Sequence, residues 1–349
     1  MSISLDDSKR TAIACQLAGI KEVQNLLIAN EEKLISACSD SEVCDRFNKM
    51  LEDDRKNLGV LDTVIVQYGV QGEPKETITQ MVEEVRDLME GSELSLYEKV
   101  SQHELLKHQQ VMSGLLVHKA AQVVGADVEA AITPLNTVNF ENRAHQEQLK
   151  GILEILGVRE LTGQEAKQGL WARVQDAVAA ISGVAGSAVT QASDKSDMNI
   201  EDIIRMDHSK VNTLFMQIDN TNDPQKIQEY FGQIYKDLSV HAEAEEQVVY
   251  PGVRPFYGET QELYDEQAEM KVMLEELKSA DLSSGDTVNS FKARIEQLKS
   301  AVMDHVRQEE STMFAAIRNN CSDEQREQMA TQFKQAKSQL QEQLMAHAR

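Results

Sequence analysis

The sequence has few of the residues that interrupt helices. Of its 349 residues only 5 are Pro and 17 are Gly, and aromatic residues make up 5% of the chain. Leu, Glu, Gln, Ala and Lys are abundant instead, and these residues favour the α-helix. A chain of this length can bury the cores of two domains. We therefore expect an all-α protein with two helical domains.

Cysteines and long apolar segments are also scarce. The 4 cysteines have neither paired nor metal-binding spacing, which indicates small core residues in a reducing compartment. The first residues, MSISLDDSKR, contain no apolar stretch of the kind found in signal peptides. No run of the chain reaches the roughly 18 apolar residues of a membrane-spanning helix. These absences predict a cytoplasmic protein without membrane contact.

Positive charge is the third shortage. The chain carries 35 Lys and Arg against 58 Asp and Glu, which gives a formal net charge of −23. Such a charge repels the phosphates of nucleic acids and of anionic lipids, so we expect no nucleic-acid partner. The same charge suits the capture of metal cations, although solubility is the more common reason for an acidic composition.

Residues 1–158 have the pattern of an antiparallel helical bundle, because long amphipathic segments alternate with short turns. Acidic and histidine side chains stand at predicted inward positions where a bundle normally has Leu. These positions are Glu31, Asp54, Glu104, His108, Glu141 and His145. Two further histidines, His103 and His118, are interpreted as surface or rim residues.

The six inward residues resemble the ferritin-like arrangement, in which carboxylates and Glu-x-x-His pairs from four helices hold two metal ions. The resemblance implies a second metal site in this half of the chain. The family spacing is three residues, whereas Glu104 with His108 and Glu141 with His145 are four residues apart. A bundle lined with polar residues but without metal is the alternative.

Residues 159–199 have a different composition, rich in Gly, Ala, Ser and Val. Leu170, Val174, Ala177 and Ile181 share one helical face and predict a short amphipathic helix within a linker. Docking on one of the bundles and an interfacial membrane position are both consistent with this helix. The segment 191–199 predicts a flexible connection.

Residues 200–349 predict a four-helix bundle followed by one more helix. Two of the helices carry a His and a Glu four residues apart on an apolar stripe, so both side chains project from one face. These pairs are His241 with Glu245 and His305 with Glu309, and His208 lies on a third inward stripe. A buried carboxylate is costly unless it is paired or bound to a metal. The pattern predicts metal ligands, and a buried His–Glu network without metal is the alternative.

The motifs of this half resemble the hemerythrin-like (HHE cation-binding) domain, in which four helices enclose a di-iron centre. They are Met206-Asp207-His208, His241-x-x-x-Glu245-Glu246 and His305-x-x-x-Glu309-Glu310. The resemblance implies terminal ligands at His208, His241 and His305 and bridging carboxylates at Glu245 and Glu309. Nitrogen and oxygen ligands suit iron or manganese and are possible for zinc.

The third helix of this half departs from the family at one position. The family usually has Glu-His where this chain has Glu266 and Gln267. Either Glu266 turns inward to complete the coordination, or the second metal binds weakly, or only one metal binds. Tyr250 is interpreted as a packing residue at the end of its helix.

Three functions are consistent with these features. The favoured one is a non-haem iron protein that binds or senses O2, NO or iron. There are two alternatives. One is a di-iron oxidoreductase with peroxidase- or ferroxidase-like activity, and the other is a structural or interaction protein that a metal ion stabilises. Metal ions and a small diatomic ligand or oxidant are the expected partners. No residue is assigned a catalytic role, and oligomerisation is left open.

Overall fold

The computed structural model describes residues 8–164, 198–280 and 285–347. The N-terminal half contains α1 (Ser8–Ala37), α2 (Ser41–Tyr68), α3 (Glu76–Glu90), α4 (Leu96–Val124), α5 (Ala126–Ile132) and α6 (Leu135–Thr162). The C-terminal half contains α7 (Ile200–Asp219), α8 (Pro224–Ala244), α9 (Tyr250–Val253), α10 (Thr260–Lys278), α11 (Gly285–Gln308), α12 (Phe314–Asn320) and α13 (Asp323–His347). The described ranges contain no strand, so the all-α prediction is confirmed. None of their helices is both long and apolar enough to cross a bilayer.

Four long helices, α1, α2, α4 and α6, form the N-terminal bundle, and α3 packs along α1. Side-chain caps fix where two of these helices begin. Asp40 accepts hydrogen bonds from the amides of Glu42 and Val43 at the start of α2. Ser95 and Glu98 form a reciprocal capping box at the start of α4. The predicted amphipathic helix in the linker 159–199 lies outside the described residues, and the division into domains stays a prediction.

Helix α4 presents a different face to the bundle from the one that the sequence predicted. His103 and Lys107 are fully buried, whereas Glu104 is half-buried and His108 is exposed. The buried face of α4 carries several polar side chains. The spacing of the apolar residues in α4 therefore predicts the wrong inward face. The interpretation of His103 as a rim residue is therefore wrong.

Helices α7, α8, α10 and α11 form the C-terminal bundle around an apolar core. Phe215, Phe231 and Phe291 are among the large side chains that fill this core. Helix α13 packs across α7 and α8 and also contacts α2 of the N-terminal half. Its Phe333 is fully buried and lies edge-on to His241, with ring centroids 5.9 Å apart.

Two π-helical turns interrupt the C-terminal bundle, and each begins at a glutamate that the sequence singled out. They span Glu245–Val249 and Glu309–Met313. In the first turn the amide of Tyr250 donates to the carbonyl of Glu245, five residues earlier. The extra residue shifts the buried face to Val249 and Tyr250. The π turns thus set which side chains face the interior.

The two halves contact each other at the end of α2. Lys210 of α7 donates from Nζ to the carbonyls of Gln67 at 2.9 Å and Tyr68 at 2.7 Å. Gln341 of α13 donates to the carbonyl of Val66 at 3.1 Å. These carbonyls belong to the last turn of α2 and have no partner within that helix. The C-terminal half therefore caps a helix of the N-terminal half.

Candidate metal centre

Each of three histidines in the C-terminal bundle holds a carboxylate on its Nδ1 atom. The pairs are His241 with Asp207 at 2.9 Å, His208 with Glu310 at 2.8 Å and His305 with Glu266 at 2.6 Å. A carboxylate that accepts the Nδ1 proton fixes the tautomer and leaves the Nε2 lone pair free for a ligand. All three imidazoles are thus oriented as metal ligands usually are.

Two fully buried carboxylates, Glu245 and Glu309, lie on the Nε2 side of these rings. The Oε2 atom of Glu309 is 3.2 Å from Nε2 of His208, and Oε2 of Glu245 is 3.2 Å from Nε2 of His241. One donor atom from each of these four residues lies within 4.8 Å of the other three. A single cation could contact all four.

The four residues fit a metal ion because each has a buried polar atom without a hydrogen-bond partner in the described structure. These atoms are His208 Nε2, His241 Nε2, Glu245 Oε1 and Glu309 Oε2. Buried polar atoms are normally hydrogen-bonded, so such a group calls for a specific explanation. Two imidazole nitrogens and two carboxylate oxygens form a donor set typical of first-row transition metals.

The charges of this cluster also favour a cation. Burial raises the pKa of Glu245, and the neighbouring charge of Glu309 raises it further. Burial alone would lower the pKa of His241, but Glu245 and Asp207 outweigh it and raise this pKa to about 10. Glu309 likewise raises the pKa of His305 to about 9 against the effect of burial. Without a metal, protons on the imidazoles therefore balance the carboxylates, and a bound metal would displace those protons.

Lys337 is a buried residue near the centre that the sequence did not indicate. Its Nζ atom, on α13, lies 2.5 and 2.6 Å from the two carboxylate oxygens of Asp207. Burial alone would raise the pKa of Asp207, but Lys337 and His241 hold it well below its ordinary value. Asp207 therefore stays ionised and accepts the Nδ1 proton of His241. Its signal in the sequence is weak, since Lys337 is one of two lysines on a Gln-rich helix, which normally indicates a solvated face.

The side chains of the predicted ligands also converge on a second point, which the hydroxyl of Tyr250 occupies. This hydroxyl donates to Oε1 of Glu309 at 2.8 Å and lies 3.2 Å from Nε2 of His305. It also lies 3.3 Å from Oε2 of Glu245. Tyr250 thus contacts three predicted ligands and is more than a packing residue. The sequence could not show this contact, because it depends on the π turn at Glu245.

Glu266 and Gln267 occupy different environments. Glu266 is one-third exposed and lies on the Nδ1 side of His305, away from the buried carboxylates. Gln267 is buried, and its amide nitrogen donates to Oε2 of Glu245 at 2.8 Å and to the hydroxyl of Tyr250 at 2.6 Å. Of the two, only Gln267 reaches the interior of the cluster.

The structure does not bring together the six candidate residues of the N-terminal half. Three of them, Glu31, Asp54 and His145, surround the ammonium group of Lys107. Lys107 forms a direct ion pair with Asp54, and its Nζ lies 3.4 Å from Oε1 of Glu31 and 3.1 Å from Nδ1 of His145. The ammonium supplies the positive charge that a metal would otherwise provide.

The other three candidates of that half lie elsewhere. Gln146 donates to Glu104 at 3.1 Å and lies 3.0 Å from Nδ1 of the exposed His108. Glu141 is half-buried, and burial raises its pKa, as do nearby acidic groups. The predicted second metal site therefore has no common centre. Lys107 and His103, which the sequence did not place inward, take the buried positions of α4.

Comparison with known families identifies the class of the C-terminal half. Residues 199–317 match the model of the Hemerythrin HHE cation binding domain. An uncharacterized hemerythrin-like protein of Schizosaccharomyces pombe is 24% identical over 139 residues, which cover 40% of this chain and 68% of that protein. This half is thus a hemerythrin-like domain, and together with the His/Glu cluster the match indicates a bound metal ion. Nothing in the comparisons supports the ferritin-like resemblance of the N-terminal half.

A second relative covers the whole chain. A protein of Nostoc sp. (strain PCC 7120) named DNA nickase is 67% identical over 350 aligned residues, which cover 100% of this chain and 99% of that protein. The chain therefore belongs to the same family as this DNA nickase. The comparison with solved structures finds no match.

This relationship contradicts two predictions from the sequence. The relative is named for an action on DNA, so the proposed binding or sensing of O2, NO or iron and its two alternatives are wrong. The expectation of no nucleic-acid partner is also wrong. That expectation came from the net charge, which averages over the whole chain and does not exclude a local contact with DNA.

Proposed function

We propose that this chain nicks DNA, cutting one strand of a duplex, and that the activity requires a metal ion in the C-terminal bundle. An action on DNA is supported by the 67% identity to the protein named DNA nickase, because the match includes both halves of the chain. A metal requirement is supported by the donor atoms of four residues, which lie within 4.8 Å of one another, and by a buried atom without a hydrogen-bond partner on each of these residues.

The proposed ligands are His208, His241, Glu245 and Glu309. Iron or manganese suits this nitrogen and oxygen set best, and zinc is possible. When bound, such a metal can polarise a phosphoryl oxygen or lower the pKa of a water molecule. Asp207 with Lys337 behind it keeps the ring of His241 in place for this role.

DNA must approach the rim of this centre, because the ligands themselves are buried. His208 is the most exposed of the four at 8%. Two partly exposed cations flank the cluster: Arg205, one turn before His208 and 44% exposed, and Lys271, one turn after Gln267 and 40% exposed. Lys271 also lines a cavity of about 30 Å³ beside the imidazoles. We assign contact with the DNA backbone to these two side chains.

Conversion of supercoiled plasmid to the open circle tests the proposal. The wild-type chain loaded with iron or manganese should form open circles before any linear DNA, and a chelator should stop the reaction. The variant His241→Ala, purified in parallel, should lack both the metal and the activity. Nicking by metal-free His241→Ala would refute the metal requirement, and no nicking by the metal-loaded wild type would refute the DNA function.

The assigned rim can be tested with matched double variants. Arg205→Ala with Lys271→Ala should reduce nicking and leave the metal content unchanged. Lys119→Ala with Lys150→Ala removes the same charge from exposed positions of the N-terminal half and should nick at the wild-type rate. Equal loss in both would mean that overall charge, and not this rim, governs the approach of DNA.

A further inference from the structure

The hydroxyl of Tyr250 lies among three residues that the hemerythrin-like resemblance implies as metal ligands, His305, Glu309 and Glu245. We propose that this chain holds one metal ion, between His208 and His241, and that Tyr250 with Gln267 replaces the second ion. The inference rests on the metal site of the proposed function and concerns how many ions that site takes.

The distances around Tyr250 Oη are those of a hydrogen-bonded hydroxyl. Four residues surround it at 2.6 to 3.3 Å, namely Gln267, Glu309, His305 and Glu245. Zinc, for example, binds imidazole and carboxylate at about 2.0–2.2 Å. An ion at this point and a neutral phenol oxygen cannot both occupy it.

The two points of convergence differ in their supply of hydrogen-bond donors. At the point near Tyr250, the phenol donates to Glu309, and the amide of Gln267 donates to Glu245 and to the phenol oxygen. The oxygens that a second ion would use are thus already supplied with donors. At the point between His208 and His241, the Nε2 atoms of both rings and Oε2 of Glu309 have no hydrogen-bond partner among the described residues. Only the latter point has lone pairs left for a cation.

Tyr250 is held firmly in this position. Its side chain is fully buried, and its ring packs edge-on against Tyr264 with centroids 5.0 Å apart. The π turn that begins at Glu245 is closed by the amide of Tyr250 itself. Turning the phenol away would require a new cavity for its buried ring.

Metal analysis of the full chain, loaded anaerobically with excess iron and desalted, tests this proposal. The wild type should retain about one ion per chain. His241→Ala should retain none, whereas His305→Ala should still retain about one, because His305 faces Tyr250 and not the bound ion. A dinuclear centre would lose metal in both histidine variants.

Removing the phenol should open the second point. Tyr250→Phe combined with Gln267→His should raise the metal content toward two ions per chain, and Tyr257→Phe, whose hydroxyl contacts Glu259 and Thr312, should leave it at one. Two ions in the wild type, or a visible absorption band from an iron-bound phenolate that Tyr250→Phe removes, would overturn the proposal. One ion in the double variant would also overturn it. No metal in the wild type would instead refute the proposed metal requirement.

Discussion

The two halves of this chain bury similar polar clusters that differ in one respect. Each cluster combines two fully buried glutamate or aspartate side chains with histidines inside a helical bundle. In the N-terminal half the ammonium of Lys107 lies between Glu31 and Asp54. In the C-terminal half the ion-pair partners described for Glu245 and Glu309 are imidazoles. One cluster therefore contains its own cation, and the other requires a cation or protons.

The contrast between the two clusters shows how a buried carboxylate should be interpreted. A carboxylate at an inward position needs a positive partner, but the position alone does not say which one. A lysine on a neighbouring helix meets the need as well as a metal does. Variants of each cluster should therefore respond differently to the loss of a lysine and to the loss of a metal ion.

Removal of Lys107 should have the largest effect. Lys107→Met keeps most of the side-chain volume but leaves Asp54 and Glu31 buried without a cation. Loss of one partner of a buried ion pair costs roughly 3–5 kcal/mol, and chemical denaturation should show this loss with or without metal. The double variant Lys107→Met with Asp54→Asn should recover part of it. An unchanged free energy of unfolding in Lys107→Met would mean that the N-terminal cluster does not depend on this charge.

Metal removal should have a comparable effect that is confined to the C-terminal half. A ligand at about a thousand times its Kd stabilises the folded state by roughly 4 kcal/mol. Calorimetry of the metal-loaded chain should show a higher Tm than after chelation. In His241→Ala the same chelation should not change the Tm. A chelator effect of equal size in that variant would place the stabilising metal elsewhere.

Dependence on pH should separate the metal-free from the metal-loaded protein. The pKa values of about 10 for His241 and about 9 for His305 lie above the ordinary 6.5 of histidine. A folded-state pKa above the unfolded value stabilises below pH 6.5, and this stabilisation is lost as the pH rises toward 10. Denaturant titrations at several pH values should therefore show the metal-free chain weakening from pH 6.5 to 10. The metal-loaded chain should not weaken in this range, since the metal replaces the protons.

The smallest effect is expected at His108. This residue was predicted to line a metal site but is exposed. His108→Ala should change the free energy of unfolding by no more than about 0.5 kcal/mol, as is usual for surface substitutions. Its metal content should equal that of the wild type. A loss of metal in this variant would restore the ferritin-like interpretation.

The spacing of side chains in the sequence was sufficient to predict which His and Glu residues are buried in the C-terminal bundle. His241 with Glu245 and His305 with Glu309 are each four residues apart, which places both side chains of a pair on one helix face. All four side chains are buried in the structure. Regular helix geometry connects spacing to direction in such segments. The π turn after Glu245 breaks that relation, which is why the contact of Tyr250 with Glu309 could not be predicted.

In the N-terminal cluster, the spacing within a helix did not predict which side chains are buried. Helix α4 buries His103 and Lys107 in place of Glu104 and His108, because long-range pairing with Glu31 and Asp54 sets its orientation. A buried lysine is rare unless it is paired, so nothing in the sequence pointed to an inward Lys107. The partners come from α1 and α2, and their proximity is a property of the fold that spacing within α4 does not contain.

Metal content of the purified full-length chain tests the contrast between the two clusters most directly. Wild type, His241→Ala and His145→Ala should be prepared anaerobically and analysed side by side. We expect metal in the wild type and in His145→Ala, and none in His241→Ala. Metal retained in His241→Ala, or lost in His145→Ala, would contradict the assignment of the cation to the C-terminal half.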